Sequence, residues 1–152
     1  MRSELTPSQL VIVRALVAKP HARTAYEIAT STGKHLGYVT RILDVLVRRQ
    51  FAEEDAGWAV TDRGRRTLAT ELHRLNRPQQ IILQALHRAE FARALSDVCP
   101  DRTKASARTT GKWLNEQGYI QLVRVWRPTL TAKIAVVSDD RDVVPAAEAP
   151  RP

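Results

Sequence analysis

Basic and hydroxyl side chains are concentrated on the outward faces of two helices that the sequence predicts. The first helix lies within KHLGYVTRILDVLVRRQF, residues 34–51, and the second within RTKASARTTGKWLNEQ, residues 102–117. Guanidinium and ammonium groups donate to phosphate oxygens and to guanine O6 and N7, and hydroxyl groups contact phosphates or base edges. These residue types therefore fit the recognition of a polyanion such as a nucleic acid.

The first of these helices has an apolar stripe with three- and four-residue spacing, which we expect to face the core: Leu36, Val39, Ile42, Leu43 and Leu46. Five side chains near its N-terminal end then point outward and are candidates for contact with DNA: Lys34, His35, Tyr38, Thr40 and Arg41.

The second helix has the same character, with four basic residues and no acidic residue between Asp101 and Glu116. A neutral solvated face would mix both signs of charge. Gly111 lies inside this helix and weakens it, since glycine is a poor helix former. The candidate contacts of this helix are Arg102, Thr103, Lys104, Ser106, Arg108, Thr109 and Lys112.

The elements before and after the first basic helix determine how it is held. TPSQLVIVRALVAKP predicts a helix capped by Thr6, and AYEIATST predicts a shorter helix with Tyr26, Ile28 and Ala29 inward. Gly33 makes the turn before the third helix. Two helices joined by a tight turn, after a supporting helix, form a helix-turn-helix arrangement.

A β-hairpin is predicted next, because FAEED and WAV are separated by Ala56-Gly57. Thr61 then caps a fourth helix, whose apolar face is Leu68, Leu72 and Leu75. Three helices followed by a hairpin predict a winged helix.

These residues resemble the winged-helix regulators of the MarR and PadR families. The resemblance covers residues 6–75 and rests on Leu43-x-x-Leu46-x-x-x-x-Phe51, an acidic hairpin, and Trp58-x-x-Thr61-x-x-Gly64-Arg65. It implies that the third helix enters the major groove and that the wing reaches a minor groove or phosphate. The acidic tip EEDAG departs from this pattern, which leaves the return arm, with Arg63, Arg65 and Arg66, as the candidate phosphate contact.

A second cycle of the same elements follows Pro78, with a period of about 68 to 70 residues. PQQIILQAL parallels PSQLVIVRAL, FARALSDV predicts a short helix, and the second basic helix ends at Gly118. YIQLVRVW and TAKIAVV are rich in β-branched residues and predict a longer hairpin. This second wing would add the candidate contacts Arg124, Arg127 and Lys133, around a Trp126 that either packs onto the hairpin or stacks in solvent.

The predicted fold is therefore mainly α with small β-hairpin wings, in the α+β class, as tandem winged helix-turn-helix domains. Residues 1–76 would form the first domain with its linking helix, residues 77–137 the second, and residues 138–152 a disordered tail. The net charge of +8 divides as +4, +6 and −2 over these three segments, so the positive excess lies on the two domains.

Other chemistries find little support in the sequence. Four scattered histidines and one cysteine, Cys99, lack metal-ligand spacing, and the acidic group Asp139, Asp140 and Asp142 lies in the predicted tail. The sequence has no phosphate-binding glycine loop or nucleophile elbow. We therefore expect a protein that is not an enzyme, with no cofactor, no metal and no small-molecule ligand.

The function expected from the sequence is sequence-specific binding of double-stranded DNA, as a transcriptional regulator that reads adjacent half-sites with two recognition helices. Two alternatives stay open: a winged-helix scaffold of a chromosome-organising complex, or a replication or partition protein of a plasmid or phage. We expect a bacterial or phage protein of the cytoplasm, associated with the nucleoid and not with a membrane. A homodimer is compatible with this expectation but not required by it.

Overall fold

The computed structural model describes residues 5–99 and 104–148, with the side chains of 104–105 and 141–148 outside the description. The described residues are mainly helical, with one small two-stranded sheet, which agrees with the predicted α+β class. In chain order the elements are α1 Pro7–Val17, α2 Ala25–Thr32, α3 Leu36–Arg48, β1 Ala52–Val60, α4 Asp62–Thr70, a 3-10 helix Leu72–Arg74, α5 Arg77–Arg88, α6 Leu95–Val98, α7 Lys104–Glu116, β2 Ile120–Pro128 and α8 Leu130–Glu148.

The order of three helices, a strand and a helix occurs twice along the chain. The three helices of each copy were expected from the predicted repeat, whereas the single strand in each copy and the helix after the second strand were not. Both copies begin with a capping box, Thr6 with Gln9 in α1 and Asn76 with Gln79 in α5. The third helix of each copy is followed by a residue with positive φ, Gln50 at 65° and Gly118 at 80°. The capping box and the residue with positive φ thus repeat together with the order of the elements.

Hydrogen bonds at both ends of the sheet fix the register of β1 against β2. The Thr61 N–H donates to the Tyr119 carbonyl at 3.1 Å, and the Thr129 N–H donates to the Phe51 carbonyl at 3.2 Å. This pattern is antiparallel. The predicted hairpins are therefore wrong, since the sheet pairs one strand from each copy of the repeat.

Gly57 explains why the first hairpin prediction is wrong. A Cβ atom at Gly57 would lie 2.5 Å from Val125 Cγ1 and 2.7 Å from the Val123 carbonyl oxygen. The glycine lets β1 and β2 approach each other and does not form a turn. The acidic residues predicted for the wing tip, Glu53, Glu54 and Asp55, lie exposed along β1 instead.

The second hairpin prediction is wrong because TAKIAVV is helical. Thr129 caps α8 by accepting a hydrogen bond from the Ala132 N–H at 3.2 Å. The helix buries Ala132, Ala135 and Val136, which have helical spacing. Ile134 and Val137 are exposed. The helix continues to Glu148, into the segment for which the sequence predicts a tail from residue 138.

The chain divides into two compact units whose limits differ from the predicted boundary after residue 76. The first contains the described parts of Met1–Pro20, Ala25–Glu54 and Trp126–Pro152, and the second contains His21–Thr24 and those of Asp55–Val125. The difference follows from the strand pairing, because each strand begins in one unit and ends in the other.

In the first unit, α1, α2 and α3 pack on one another and α8 packs on α1. The core is formed by Ile12, Leu16, Ile28, Leu43 and Leu46, which are fully or almost fully buried. Trp126 is 2% exposed in the same core, so the stacking alternative for this residue is wrong.

The second unit has a comparable core, formed by α5 packed against α6 and α7, with α4 on α5. Ile82, Leu83, Leu114 and Ile120 are its fully buried centre, and Cys99 is a buried member of it. Gly64 at the start of α4 is required by packing, since a Cβ atom would lie 2.2 Å from the Tyr119 carbonyl oxygen.

Gly57→Ala should destabilise the fold by about 1–3 kcal/mol, because the added methyl group has no space between β1 and β2. The free energy of unfolding from chemical denaturation measures this effect. Ala56→Ser, on the neighbouring exposed position of β1, is the matched control and should change stability by less than about 0.5 kcal/mol. Equal stabilities for Gly57→Ala and the unchanged chain would contradict the strand pairing.

A second pair of variants distinguishes the observed α8 from the predicted strand. Ala135→Glu places a charge at a position that is 8% exposed and should cost about 3 kcal/mol, whereas Ile134→Glu, at 56% exposed, should be tolerated. A strand with Ala132 and Val136 inward would give the opposite ranking, because Ile134 would then face the core. Thermal and chemical denaturation of both variants provide the measurement.

Candidate nucleic-acid interface

One side of α3 is buried in the core, and the residues on its other side face solvent. Val39, Leu43 and Leu46 are fully buried, and they recur at helical intervals on one side of the helix. Lys34, His35 and Arg41 are exposed, and Tyr38 and Thr40 are half-buried. All five sequence-predicted residues of this segment therefore retain exposed surface around the N-terminal part of α3.

An open depression of about 740 Å³ lies at this end of α3. Its lining includes four of the five predicted residues together with two glycines: Gly33, Lys34, His35, Gly37, Tyr38 and Arg41. Gly33 has a φ of +69°, the left-handed conformation expected of the turn before α3. The structure thus places a lysine, a histidine, a tyrosine and an arginine around one concave surface.

Thr40 has a more restricted role than the sequence suggested. Its hydroxyl group donates to the Leu36 carbonyl within α3, at 2.9 Å. An intrahelical bond of this kind occupies the hydroxyl proton, although the oxygen can still accept a hydrogen bond. Thr40 is therefore best suited to a methyl contact or to acceptance of a hydrogen bond.

Two residues that the sequence predicts to face the core are exposed instead. Leu36 is 49% exposed and Tyr26 is 58% exposed. Both lie in the first turn of their helices, α3 and α2, where the apolar stripe extends past the buried centre. The exposed Leu36 at the start of α3 is an apolar group of the kind that can contact a thymine methyl group.

The second predicted face lies on α7, and its described side chains are exposed. These residues are Ser106, Arg108, Thr109 and Lys112. Arg102 and Thr103 lie outside the described residues, and Lys104 begins α7 with its side chain also outside the description. Where the structure describes the predicted face, it is accessible.

Gly111 positions α7 against α6 within the second unit. A Cβ atom at this position would lie 2.7 Å from Leu95 Cδ1, so the glycine allows the two helices to pack closely. Alanine at this position would require the end of the Leu95 side chain to shift. Leu114, one turn further along α7, is fully buried.

The arginines of α4 are exposed but differ in their contacts. The Arg63 guanidinium lies over the Tyr119 ring, 4.8 Å from its centroid. Arg65 pairs with Asp62 and donates to the Val60 carbonyl at 3.1 Å. Arg66 projects from the same helix with its side chain exposed. These residues lie at the start of the helix that the sequence predicts after Thr61, but the strand before it is not the return strand of a hairpin.

The three candidate contacts of the predicted second wing are not grouped at a hairpin tip. Arg124 is exposed and Arg127 is half-buried, and both lie on β2. Lys133 is exposed on α8. The prediction of a second wing carrying these three residues is therefore wrong, because the segment predicted as its return strand is helical.

The acidic residues of the former tail hold α8 to α1. Arg14 donates to Asp139 at 2.5 Å and to Asp140 at 2.6 Å. The hydrogen bond to Asp140 is the main cause of a raised pKa of Arg14, with Asp139 adding to it against partial desolvation. Two of the three aspartates thus have a structural role, and the described residues contain no cluster of three potential metal ligands.

None of the helices in the described parts of the chain is both long and apolar enough to cross a bilayer. Comparison of the chain with family models, curated proteins and solved structures finds no match. The resemblance to winged-helix regulators therefore stays a prediction from the sequence.

Proposed function

We propose that this chain is a sequence-specific binding protein for double-stranded DNA and acts as a transcriptional regulator. The observation that best supports the proposal is the exposed surface of α3, where Lys34, Tyr38 and Arg41 surround an open depression above a buried three-helix core. A rigid helix with an accessible cationic face fits the major groove, where arginine reads guanine by two hydrogen bonds.

Each unit supplies the parts of a helix-turn-helix. In the first unit α2 and α3 are joined at Gly33, and in the second unit α6 and α7 pack against each other and on α5. We interpret each copy of the repeat as a winged-helix variant. In this variant the strand after the third helix pairs with its counterpart from the other copy instead of folding back as a hairpin.

Two recognition helices in one chain can bind two half-sites without requiring those sites to be identical. Linking them makes the second contact intramolecular, which raises overall affinity through effective concentration. Arg63 and Arg66, exposed on α4, are suited to phosphate contacts that position the protein without reading sequence. The proposed role is binding and not catalysis.

A second candidate function is a protein-binding scaffold, which one observation favours. α8 exposes Leu130, Ile134 and Val137 at 72%, 56% and 48%, with spacings of four and three residues. An exposed apolar stripe of this kind on a helix is a typical protein-contact surface. This function requires no nucleic acid, so the two candidates differ in a direct binding measurement.

Selection of bound sequences from a random duplex library, at two salt concentrations, tests the proposal. A defined sequence motif is the expected result. Binding without sequence preference would indicate an architectural role, and the absence of binding to any duplex would contradict the proposal and favour the scaffold.

Arg41→Ala and Arg108→Ala should each weaken binding to the selected duplex by about 1–3 kcal/mol if the side chain reads a guanine, and should relax the preference at one base pair. Arg48→Ala is the matched control, because it removes the same charge from an exposed position at the other end of α3. Repeating the selection with each variant gives both measurements. Unchanged affinity and an unchanged motif in both variants would exclude these faces from recognition.

Affinity should fall steeply with salt, because binding to phosphates releases counterions. For a protein with 6–10 phosphate contacts the loss is roughly 10³- to 10⁵-fold between 50 and 200 mM salt. Arg66→Ala should lower the slope of log Kd against log salt by about one. Arg74→Ala, whose guanidinium already pairs with Glu71 at 3.5 Å, should leave that slope nearly unchanged. A slope near zero for the unchanged chain would contradict a phosphate-based interface.

A further inference from the structure

Gly37 is the second residue of α3 and lies on the exposed face of that helix. It lines the depression together with Lys34, Tyr38 and Arg41. Alanine favours a helix more than glycine does, and glycine adds no side chain to the lining of the depression.

The chain contains six glycines, and five of them are explained by the fold itself. Gly57, Gly64 and Gly111 lie where a Cβ atom would come within 2.5, 2.2 and 2.7 Å of a neighbouring atom. Gly33 and Gly118 have φ angles of +69° and +80°, which residues other than glycine rarely adopt. Each of these five positions restricts the side chain from within the molecule.

Gly37 has neither restriction. Its φ is not in the left-handed region, and a Cβ atom built on it would meet nothing within 4 Å. The fold would accept alanine at this position, and alanine would favour the helix more strongly. The space beside Gly37 is therefore left open toward solvent, within the depression.

We propose that Gly37 is the point of closest approach between α3 and the DNA, where an edge of the duplex packs against the uncovered helix backbone. The inference rests on the proposed function and adds a steric determinant to it. A side chain at this position would hold the helix away from the duplex. Hydrogen bonds from Tyr38 and Arg41 on the same surface would then lengthen, and such bonds weaken quickly with distance and misalignment.

Gly37 acts on binding in a different way from the charged residues around it. Lys34 and Arg41 attract a polyanion over a range of several ångströms, whereas a missing Cβ atom acts only at contact. A loss of affinity on filling this space therefore reports the distance between helix and duplex, and not the charge of the surface.

Gly37→Ala and Gly37→Leu test the inference, with chemical denaturation to measure folding and titration of the library-selected duplex to measure binding. The midpoint of unfolding should stay equal or rise for Gly37→Ala. Affinity should fall by roughly tenfold for alanine, which corresponds to about 1.4 kcal/mol, and further for leucine. The ranking of glycine, alanine and leucine follows the volume added at the contact.

Ser8→Leu is the control, since it adds an exposed leucine on α1, outside the candidate interface, and should bind as the unchanged chain does. Equal affinity of the Gly37 variants and the unchanged chain would overturn this inference and leave the proposed function intact. A lower stability of Gly37→Ala would overturn it too, because the glycine would then have an internal role. A loss in Ser8→Leu equal to that in Gly37→Leu would also overturn it. Failure of the unchanged chain to bind any duplex would reject the proposed function together with the inference.

Discussion

Backbone N–H and C=O groups in a strand need partners, and β1 finds them in a strand that follows it by about sixty residues, β2. This antiparallel pairing also positions the threonine at which the helix after each strand begins. The Thr61 hydroxyl donates to the Gly118 carbonyl at 2.6 Å, and the Thr129 hydroxyl donates to the Gln50 carbonyl at 2.8 Å. Each threonine therefore caps the helix that follows it. Its hydroxyl group also donates to the turn that precedes the other strand.

The three-helix packing could be predicted from the sequence, because it depends on local signals. Capping residues and apolar positions spaced by three and four identify α1 to α3, α5 and α7 without knowledge of any distant contact. The outward direction of Lys34 and Arg41 follows from the same periodicity. Leu36 and Tyr26 were misplaced because periodicity alone does not show where the buried part of a helix begins.

The strand pairing could not be predicted in the same way. A hairpin is the local solution for two short apolar runs, and Gly57 between them is a common turn residue. Glycine is required there because the β2 backbone lies too close for a side chain. β2 is distant in the sequence, so the residues around Gly57 do not indicate this contact. One usable signal was present: Trp58-x-x-Thr61 is repeated as Trp126-x-x-Thr129, so the segment after Thr129 matches a helix start. The β-branched residues of TAKIAVV outweighed that signal, although burial of Ala132 and Ala135 favours the helix.

The distribution of the first unit over both ends of the chain has a consequence for biosynthesis. Its core includes residues of α1, such as Ile12, and also Trp126 and Ala132 from much later in the chain. A ribosome therefore exposes α1, α2 and α3 long before the segment that covers them has been translated. During that interval the nascent chain presents uncovered apolar surface, and contacts between distant segments close slowly. The second unit, drawn mainly from 55–125, can be completed first, so the unit that begins the chain is the one that finishes folding last.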